Sequence, residues 1–154
     1  MPWVVASFAV ALVLDSISLG NTFQPFNPPW TLLVLIYWCW IIPARVGPFT
    51  GFCVGLLLDT LGAGVLGLRA LGCALVGLLA NRLRPLFNSS SIGQQVVIVW
   101  GLVLVNKAVV GWLQTLFSSQ ELGLEYWISS LVAVPVWPLV YTLLKELTPV
   151  RRQA

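Results

Sequence analysis

The chain has 154 residues, of which 58% are hydrophobic and 8% are charged, and its mean hydropathy is +0.93. A soluble domain carries about 25% charged residues, so this chain has too few charges to cover a surface that faces water. The net charge of +3 does not indicate nucleic-acid binding, because the basic residues stand singly or in pairs between apolar runs. We therefore predict an all-α integral membrane protein with a single domain over residues 1–154.

Six apolar runs predict a compact bundle of about six transmembrane helices. In chain order they cover approximately residues 3–19, 30–42, 47–61, 66–83, 95–117 and 126–144. The third and fourth runs are short for a bilayer core of ~30 Å, so a re-entrant hairpin in their place stays open. Gly62 to Val65 predict a tight turn between them. Residues 81–93 predict a polar loop, with Pro85 ending the fourth helix.

Aromatic residues cluster in the second run. Trp30, Tyr37, Trp38 and Trp40 are amphipathic side chains of the kind that is enriched at membrane–water interfaces. We therefore expect them at the interfaces. The three cysteines, Cys39, Cys53 and Cys73, all lie within apolar runs and are expected to be buried small hydrophobic residues rather than metal ligands.

The basic residues between the runs predict the orientation in the membrane. With the amino terminus in the cytoplasm, the outer loops hold one basic residue, Arg69. The six on the cytoplasmic side are then Arg45, Arg82, Arg84, Lys145, Arg151 and Arg152. Because cytoplasmic loops carry an excess of Lys and Arg, we expect both termini in the cytoplasm, with Glu121 and Glu125 outside.

Three ionisable residues, Asp15, Asp59 and Lys107, lie well inside the predicted spans. Charges at such depth are costly and are usually paired within the bundle, so we predict a buried pair of Lys107 with Asp15 or with Asp59. Asp59 has two further options, which are a cap on the tight turn or a pair with Arg69. A pair that fixes helix register, a proton relay and a partner contact are the roles that stay open.

Small residues recur on the third predicted span. Gly47, Gly51 and Gly55 form the pattern GxxxGxxxG on one helix face. Because apolar lipid provides little hydrophobic drive between helices, such residues act by allowing close approach of backbones. The face either packs internally against the fourth span or forms a groove for the helix of a partner. We predict Gly51, Gly55, Asp59 and Arg69 as partner-interaction residues.

The sequence has no histidine and no arrangement of residues typical of an active site. There is no Ser-His-Asp set, no Cys-His pair and no glycine-rich loop before a lysine that would cradle phosphate. Glu121 and Glu125 are the one carboxylate pair outside the predicted membrane spans, and they are expected to be solvated. We therefore predict that the chain is not an enzyme and binds no cofactor or metal ion.

Residues of the central stretch, with two near the end, carry a resemblance to a known family. They are Pro28, Trp30, Tyr37, Trp38, Pro43, Arg45, Val46, Gly51, Phe52, Gly55, Asp59, Gly62, Leu66, Gly67, Arg69, Leu71, Trp137 and Pro138. With them, the chain closely resembles the MreD family, the rod shape-determining membrane proteins of bacterial cell elongation. Pro29 replaces a residue that is often polar in the family, and Asp15 and Lys107 lie outside its pattern.

The resemblance implies a scaffold of the bacterial cytoplasmic membrane. Proteins of this kind associate with the bitopic protein MreC and, through it, with the MreB filament, the RodA glycosyltransferase and a class B penicillin-binding protein. The implied role is to determine cell shape and to direct lateral peptidoglycan synthesis. Lipid surrounds such a protein, nucleic acid is not an expected partner, and a homodimer is left open.

The family's fold is thought to be similar to the substrate-binding components of energy-coupling-factor vitamin transporters. This similarity implies the alternative function, a vitamin-binding membrane subunit of such a transporter. A vitamin pocket needs convergent polar groups. The residues that could supply them near the outer face are Asn21, Thr22, Gln24, Gln120 and Glu121. A retained vitamin in the purified protein would support this alternative, and co-purification of a bitopic partner would support the scaffold.

Overall fold

Each apolar run of the sequence forms one helix. The structure, a computed structural model, describes residues 2–18, 28–62, 66–118 and 123–147. Within these residues the helices are α1 (Pro2–Ser18), α2 (Trp30–Ile41), α3 (Pro48–Leu61), α4 (Leu68–Asn88), α5 (Ile92–Ser118) and α6 (Leu124–Leu147). The predicted all-helical bundle of six elements is confirmed at this level, and the helix boundaries lie within three residues of the predicted ones, except for the end of α4.

The short helix α2 is the centre of the bundle. Every residue from Thr31 to Trp40 is buried, on all sides of the helix. Its neighbours are α1, α4, α5 and α6. Its apolar circumference allows this central position, since no polar side chain of the helix has to reach water. These four helices cover α2, and the outward faces of the bundle carry exposed apolar residues such as Val10, Phe49 and Leu78.

The aromatic residues of α2 mostly line the core rather than an interface. Tyr37, Trp38 and Trp40 are at most 3% exposed, which corrects the expectation drawn from their amphipathic character. Burial is possible because the indole N–H groups have partners: Trp38 donates to the Ser7 hydroxyl at 2.8 Å and Trp40 to the Ala80 carbonyl at 2.9 Å. Trp30, in the first turn, is the only one of the four that stays partly exposed.

Helix α4 is longer than expected and includes Pro85. It continues to Asn88, so the polar loop predicted over residues 81–93 is reduced to the few residues before α5. Tertiary contacts support the extra turn: Phe87 stacks on Trp40, with ring centroids 3.8 Å apart. Nε of Arg84 also donates to the Trp40 carbonyl oxygen at 3.2 Å. These contacts compensate for the main-chain hydrogen bond that a proline removes from a helix.

Three of the six helices are long and apolar enough to cross a membrane by length and composition. They comprise Leu68–Asn88, Ile92–Phe117 and Tyr126–Glu146. The apolar parts of α1, α2 and α3 are shorter. At ~1.5 Å per residue, the 12 residues of α2 extend ~18 Å, less than the ~30 Å of a bilayer core. The crossing of the bilayer by all six helices therefore stays a prediction.

Candidate functional site

Asp59 caps the amino terminus of α4. It lies in the last turn of α3 and is 5% exposed. Its carboxylate accepts the main-chain N–H groups of Gly67 at 2.8 Å, Arg69 at 3.3 Å and Ala70 at 3.2 Å. The first N–H groups of a helix have no partner within the helix, and negative charge is stabilised there. Asp59 was predicted to pair with Lys107, to pair with Arg69 or to cap the turn between α3 and α4. The structure shows the cap.

Gly67 allows this cap to form. It precedes α4 with φ of 97°, in the left-handed region that side chains larger than hydrogen rarely adopt. This conformation directs its N–H towards Asp59. The predicted tight turn falls on Gly62 to Val65, of which residues 63–65 lie outside the described part of the chain.

Arg69 lies at the same end of the hairpin but does not pair with Asp59 through its side chain. A Cβ built on Gly62 would lie 3.5 Å from Nη1, so the guanidinium covers the carboxyl end of α3. A cation is favoured at that end of a helix. Among the described residues, none accepts a hydrogen bond from the guanidinium or forms an ion pair with it. Arg69 is therefore a half-buried cation that forms no ion pair in this part of the chain, although the Asp15 carboxylate attracts it electrostatically.

Asp15 performs for α2 the role that Asp59 performs for α4. From the carboxyl-terminal part of α1, its carboxylate accepts the main-chain N–H groups of Trp30 at 3.2 Å and Thr31 at 3.0 Å. The Thr31 hydroxyl donates to the same carboxylate. Both acids inside the predicted spans are thus bound to the first turn of the following helix.

Lys107 connects α5 to the first turns of α6. Its Nζ donates to the main-chain oxygen of Tyr126 at 3.0 Å and to the Ser129 hydroxyl, and it lies 4.3 Å from the centre of the Tyr126 ring. In return, the Tyr126 hydroxyl donates to the main-chain oxygen of Lys107 at 3.0 Å. These interactions place the ammonium on carbonyl, hydroxyl and ring acceptors rather than on a carboxylate.

This arrangement corrects the predicted charge pair. Within the described residues, Lys107 forms no ion pair with Asp15 or Asp59. The physical reason is local: unpaired N–H groups of a helix end provide two or three donors close to each acid, whereas a lysine provides one charge from a more distant helix. In each of the three hairpins, an ionisable side chain of the first helix therefore binds the beginning of the second.

The glycine face of α3 is filled by α4. A Cβ on Gly51 would lie 2.5 Å from the Cys73 carbonyl oxygen, and one on Gly55 would collide with the Ala70 Cα. Both glycines are buried. Of the two interpretations, internal packing is the one that the structure shows, and the expectation of a free docking groove at Gly51 and Gly55 is corrected. The close approach brings α4 near enough for Asp59 to reach its first turn.

The remaining predicted residues divide between buried, exposed and undescribed positions. Cys39 and Cys73 are buried as expected, whereas Cys53 is exposed on α3. The residues considered for a vitamin pocket, Asn21, Thr22, Gln24, Gln120 and Glu121, lie outside the described residues. The side chain of Glu125 and the basic residues Arg151 and Arg152 lie outside them too.

Comparisons with known proteins identify the family. Residues 1–147 match the family model for the rod shape-determining protein MreD. The chain is 22% identical over 144 residues to the rod shape-determining protein MreD of Haemophilus influenzae, which covers 94% of this chain and 89% of that relative. No solved structure matches the chain. With its three membrane-length apolar helices, this chain is a membrane protein that belongs to the MreD family of rod shape-determining proteins.

Proposed function

We propose that this chain is a non-enzymatic scaffold of the bacterial cell-elongation machinery in the cytoplasmic membrane. It holds a bitopic, MreC-like partner and, through it, connects MreB to the RodA and class B penicillin-binding protein synthase. In this way it directs lateral peptidoglycan synthesis and regulates cell shape. Membership of a family named for rod-shape determination supports the role in cell shape.

The observation that carries the partner contact is the position of Arg69. The main chain of Arg69 is held by Asp59, and its half-buried guanidinium has no acceptor among the described residues. A cation close to lipid is costly without a partner. A guanidinium presents several N–H donors in a plane and binds a carboxylate through two parallel hydrogen bonds. We therefore assign to Arg69 an acidic residue at the outer end of the partner's transmembrane helix.

The other three predicted interaction residues affect the partner contact by positioning Arg69. Asp59 fixes the first turn of α4, and Gly51 and Gly55 allow α3 to approach α4. Replacing them changes where Arg69 lies rather than removing a direct contact. The exposed residues beside Arg69, such as Leu66 and Leu71, provide the apolar surface against which the partner helix packs.

The proposed orientation places both termini in the cytoplasm and Arg69 outside. Arg45 and Arg84 lie at one end of the bundle, because Arg84 donates to the main-chain oxygen of Trp40 near the turn that holds Arg45. Arg69 is 15 residues before Arg84 on the same helix, or ~22 Å along its axis. The concentration of basic residues at the end that holds Arg45 and Arg84 supports the assignment of that end to the cytoplasm.

Co-purification tests this function. We expect Arg69→Gln to fold normally, to lose most of the MreC-like partner in a detergent pull-down, and to fail to restore rod shape in cells that lack the native protein. Arg82→Gln, an equal charge change at the other end of α4, is the matched control and should retain the partner. Full partner recovery with Arg69→Gln, together with normal cell shape, would refute the role of Arg69.

A further inference from the structure

A groove lies between α4 and α5 at the end where these two helices join. Its volume is about 610 Å³. The residues that line it are Leu86, Ser89, Ser90, Gly93, Gln94, Val97 and Ile98. One part of this lining is apolar and another is polar, and among these described lining residues none is acidic. The groove thus joins an apolar wall to a polar end.

The apolar wall continues along the outward faces of both helices. On α4, Leu78 and Leu75 follow Leu86 at helical spacing towards the middle of the bundle, and they are 45% and 38% exposed. On α5, Gly101 follows Val97 by one turn, and a Cβ built on it would meet no atom within 4 Å. Together with Val97, these exposed residues and the open side of Gly101 define an apolar furrow beside the groove, along which an acyl chain can lie.

A cationic residue lies on the same face of α4 as Leu86. Arg82 is one turn from Leu86 on α4 and is exposed. Among the described residues, no acceptor binds its guanidinium. An arginine at the side of a membrane helix extends its head group towards the polar surface, where the phosphates of phospholipids lie. Arg82 does not line the groove itself, but an arginine side chain extended in this direction would bring its guanidinium towards the polar end of the groove.

The polar end offers donors in addition to this charge. The Ser91 N–H donates to Oε1 of Gln94 at 3.2 Å, which leaves the Nε2 group of Gln94 as a donor. The Gln95 N–H donates to the main-chain oxygen of Ser91, the residue before α5, at 3.0 Å. The N–H groups of Gly93 and Gln94 precede this bond, in the first turn of the helix, where N–H groups have no partner within the helix. Gly93 has open space on its side-chain face. An anionic group at this end would meet N–H donors as well as Arg82.

We propose that the α4–α5 groove binds an anionic phospholipid, with its phosphate near Arg82 and one acyl chain along the furrow past Val97. Charge complementarity selects an anionic head group over a zwitterionic one. The apolar furrow, open to the side of the bundle, selects a lipid over a soluble phosphate. This site lies at the opposite end of α4 from Arg69 and is independent of the proposed partner contact.

Native mass spectrometry of the full-length protein in detergent tests this site. We expect the wild type to retain phosphatidylglycerol in preference to phosphatidylcholine. Arg82→Gln should reduce retained phosphatidylglycerol by about fivefold, the effect of one cationic side chain at a membrane surface. Val97→Trp, which fills the furrow at a residue 64% exposed, should reduce retention as well. Arg45→Gln removes a charge that is also exposed but lies outside the groove, and it should leave retention unchanged.

Several results would overturn the proposal. Equal losses with Arg82→Gln and Arg45→Gln would show a general attraction of charge, and an absence of lipid preference in the wild type would remove the basis for a site. Displacement of the lipid by inorganic phosphate would identify a soluble anion as the ligand. Unchanged retention in both Arg82→Gln and Val97→Trp would show that the groove is not used. Unfolding temperatures of the variants, measured in parallel, separate lost binding from lost folding.

Discussion

The carboxylate of Asp59 binds Arg69 through the main chain and not through the side chain. It accepts the Arg69 N–H at 3.3 Å, while the guanidinium of Arg69 lies beside Gly62 at the end of α3. The acid therefore stands at the amino end of α4 and the cation at the carboxyl end of α3, the positions that the two helix dipoles favour. These two contacts hold α3 and α4 together at this end of the hairpin. The N–H donors of the guanidinium can still bind another anion.

Replacing Asp59 by Asn should destabilise the protein. The carboxylate serves three N–H groups, and an amide has one acceptor oxygen and adds N–H donors of its own. We expect a loss of about 1–3 kcal/mol in the free energy of unfolding, measured as a lower unfolding temperature in detergent. Thr60→Ala, at the exposed neighbouring residue, is the control. If Asp59→Asn unfolds at the same temperature as Thr60→Ala, the cap does not stabilise the hairpin.

Glycines on the two sides of α4 should respond oppositely to the same change. Gly55→Ala places a methyl group against the Ala70 backbone, and forcing the helices apart should cost about 1–3 kcal/mol. Gly93→Ala enters open space and should leave stability unchanged or raise it by up to about 1 kcal/mol, since alanine favours helix. Thermal unfolding of both variants measures the difference. A Gly55→Leu variant that folds normally yet loses the partner would restore the docking-groove interpretation.

Lys107 should be energetically coupled to Ser129 and not to the buried acids. In a double-mutant cycle, Lys107→Met and Ser129→Ala should show a coupling of about 0.5–1.5 kcal/mol, because they share a hydrogen bond. Lys107→Met combined with Asp59→Asn should be additive within about 0.5 kcal/mol. Chemical or thermal unfolding of the single and double variants gives both values. A stronger coupling to Asp59 than to Ser129 would re-establish the predicted charge pair.

The sequence predicts the helices well because apolar runs report burial in protein or lipid alike. For the same reason, hydropathy does not distinguish the interior helix α2 from helices that face lipid. Trp38 and Trp40 illustrate this, since their burial depends on acceptors at Ser7 and Ala80, which lie far away in the chain. Glycine spacing predicts close packing, but which helix fills the face is decided by the fold.

The caps by Asp15 and Asp59 were harder to predict than the helices that they join. An acid inside an apolar run indicates a buried charge, and depth alone favours pairing with a cation at the same level. The deciding quantity is the distance to the free N–H groups of the next helix, which depends on how closely the hairpin packs. For Asp59, the glycine pattern at Gly51 and Gly55 was the available signal.

Single cysteines should reveal the orientation of the bundle. We expect Gln120→Cys to react with an impermeant thiol reagent in intact cells and Arg152→Cys to remain unlabelled, because the basic ends face the cytoplasm. The background lacks Cys39, Cys53 and Cys73. Permeabilised cells, in which both positions should react, provide the control. Labelling at residue 152 and not at residue 120 would reverse the orientation and place Arg69 in the cytoplasm.

Site-specific photocrosslinking in living cells can show directly whether the partner helix binds beside Arg69. A photoreactive amino acid is placed at Leu66 or Leu71, which are 67% and 53% exposed beside Arg69, and at Val10, which is 60% exposed on α1. We expect an adduct with the bitopic MreC-like protein from Leu66 or Leu71, weakened by Arg69→Gln, and none from Val10. An adduct from Val10 with none from Leu66 or Leu71 would show that the partner binds a different face and would refute the contact at Arg69.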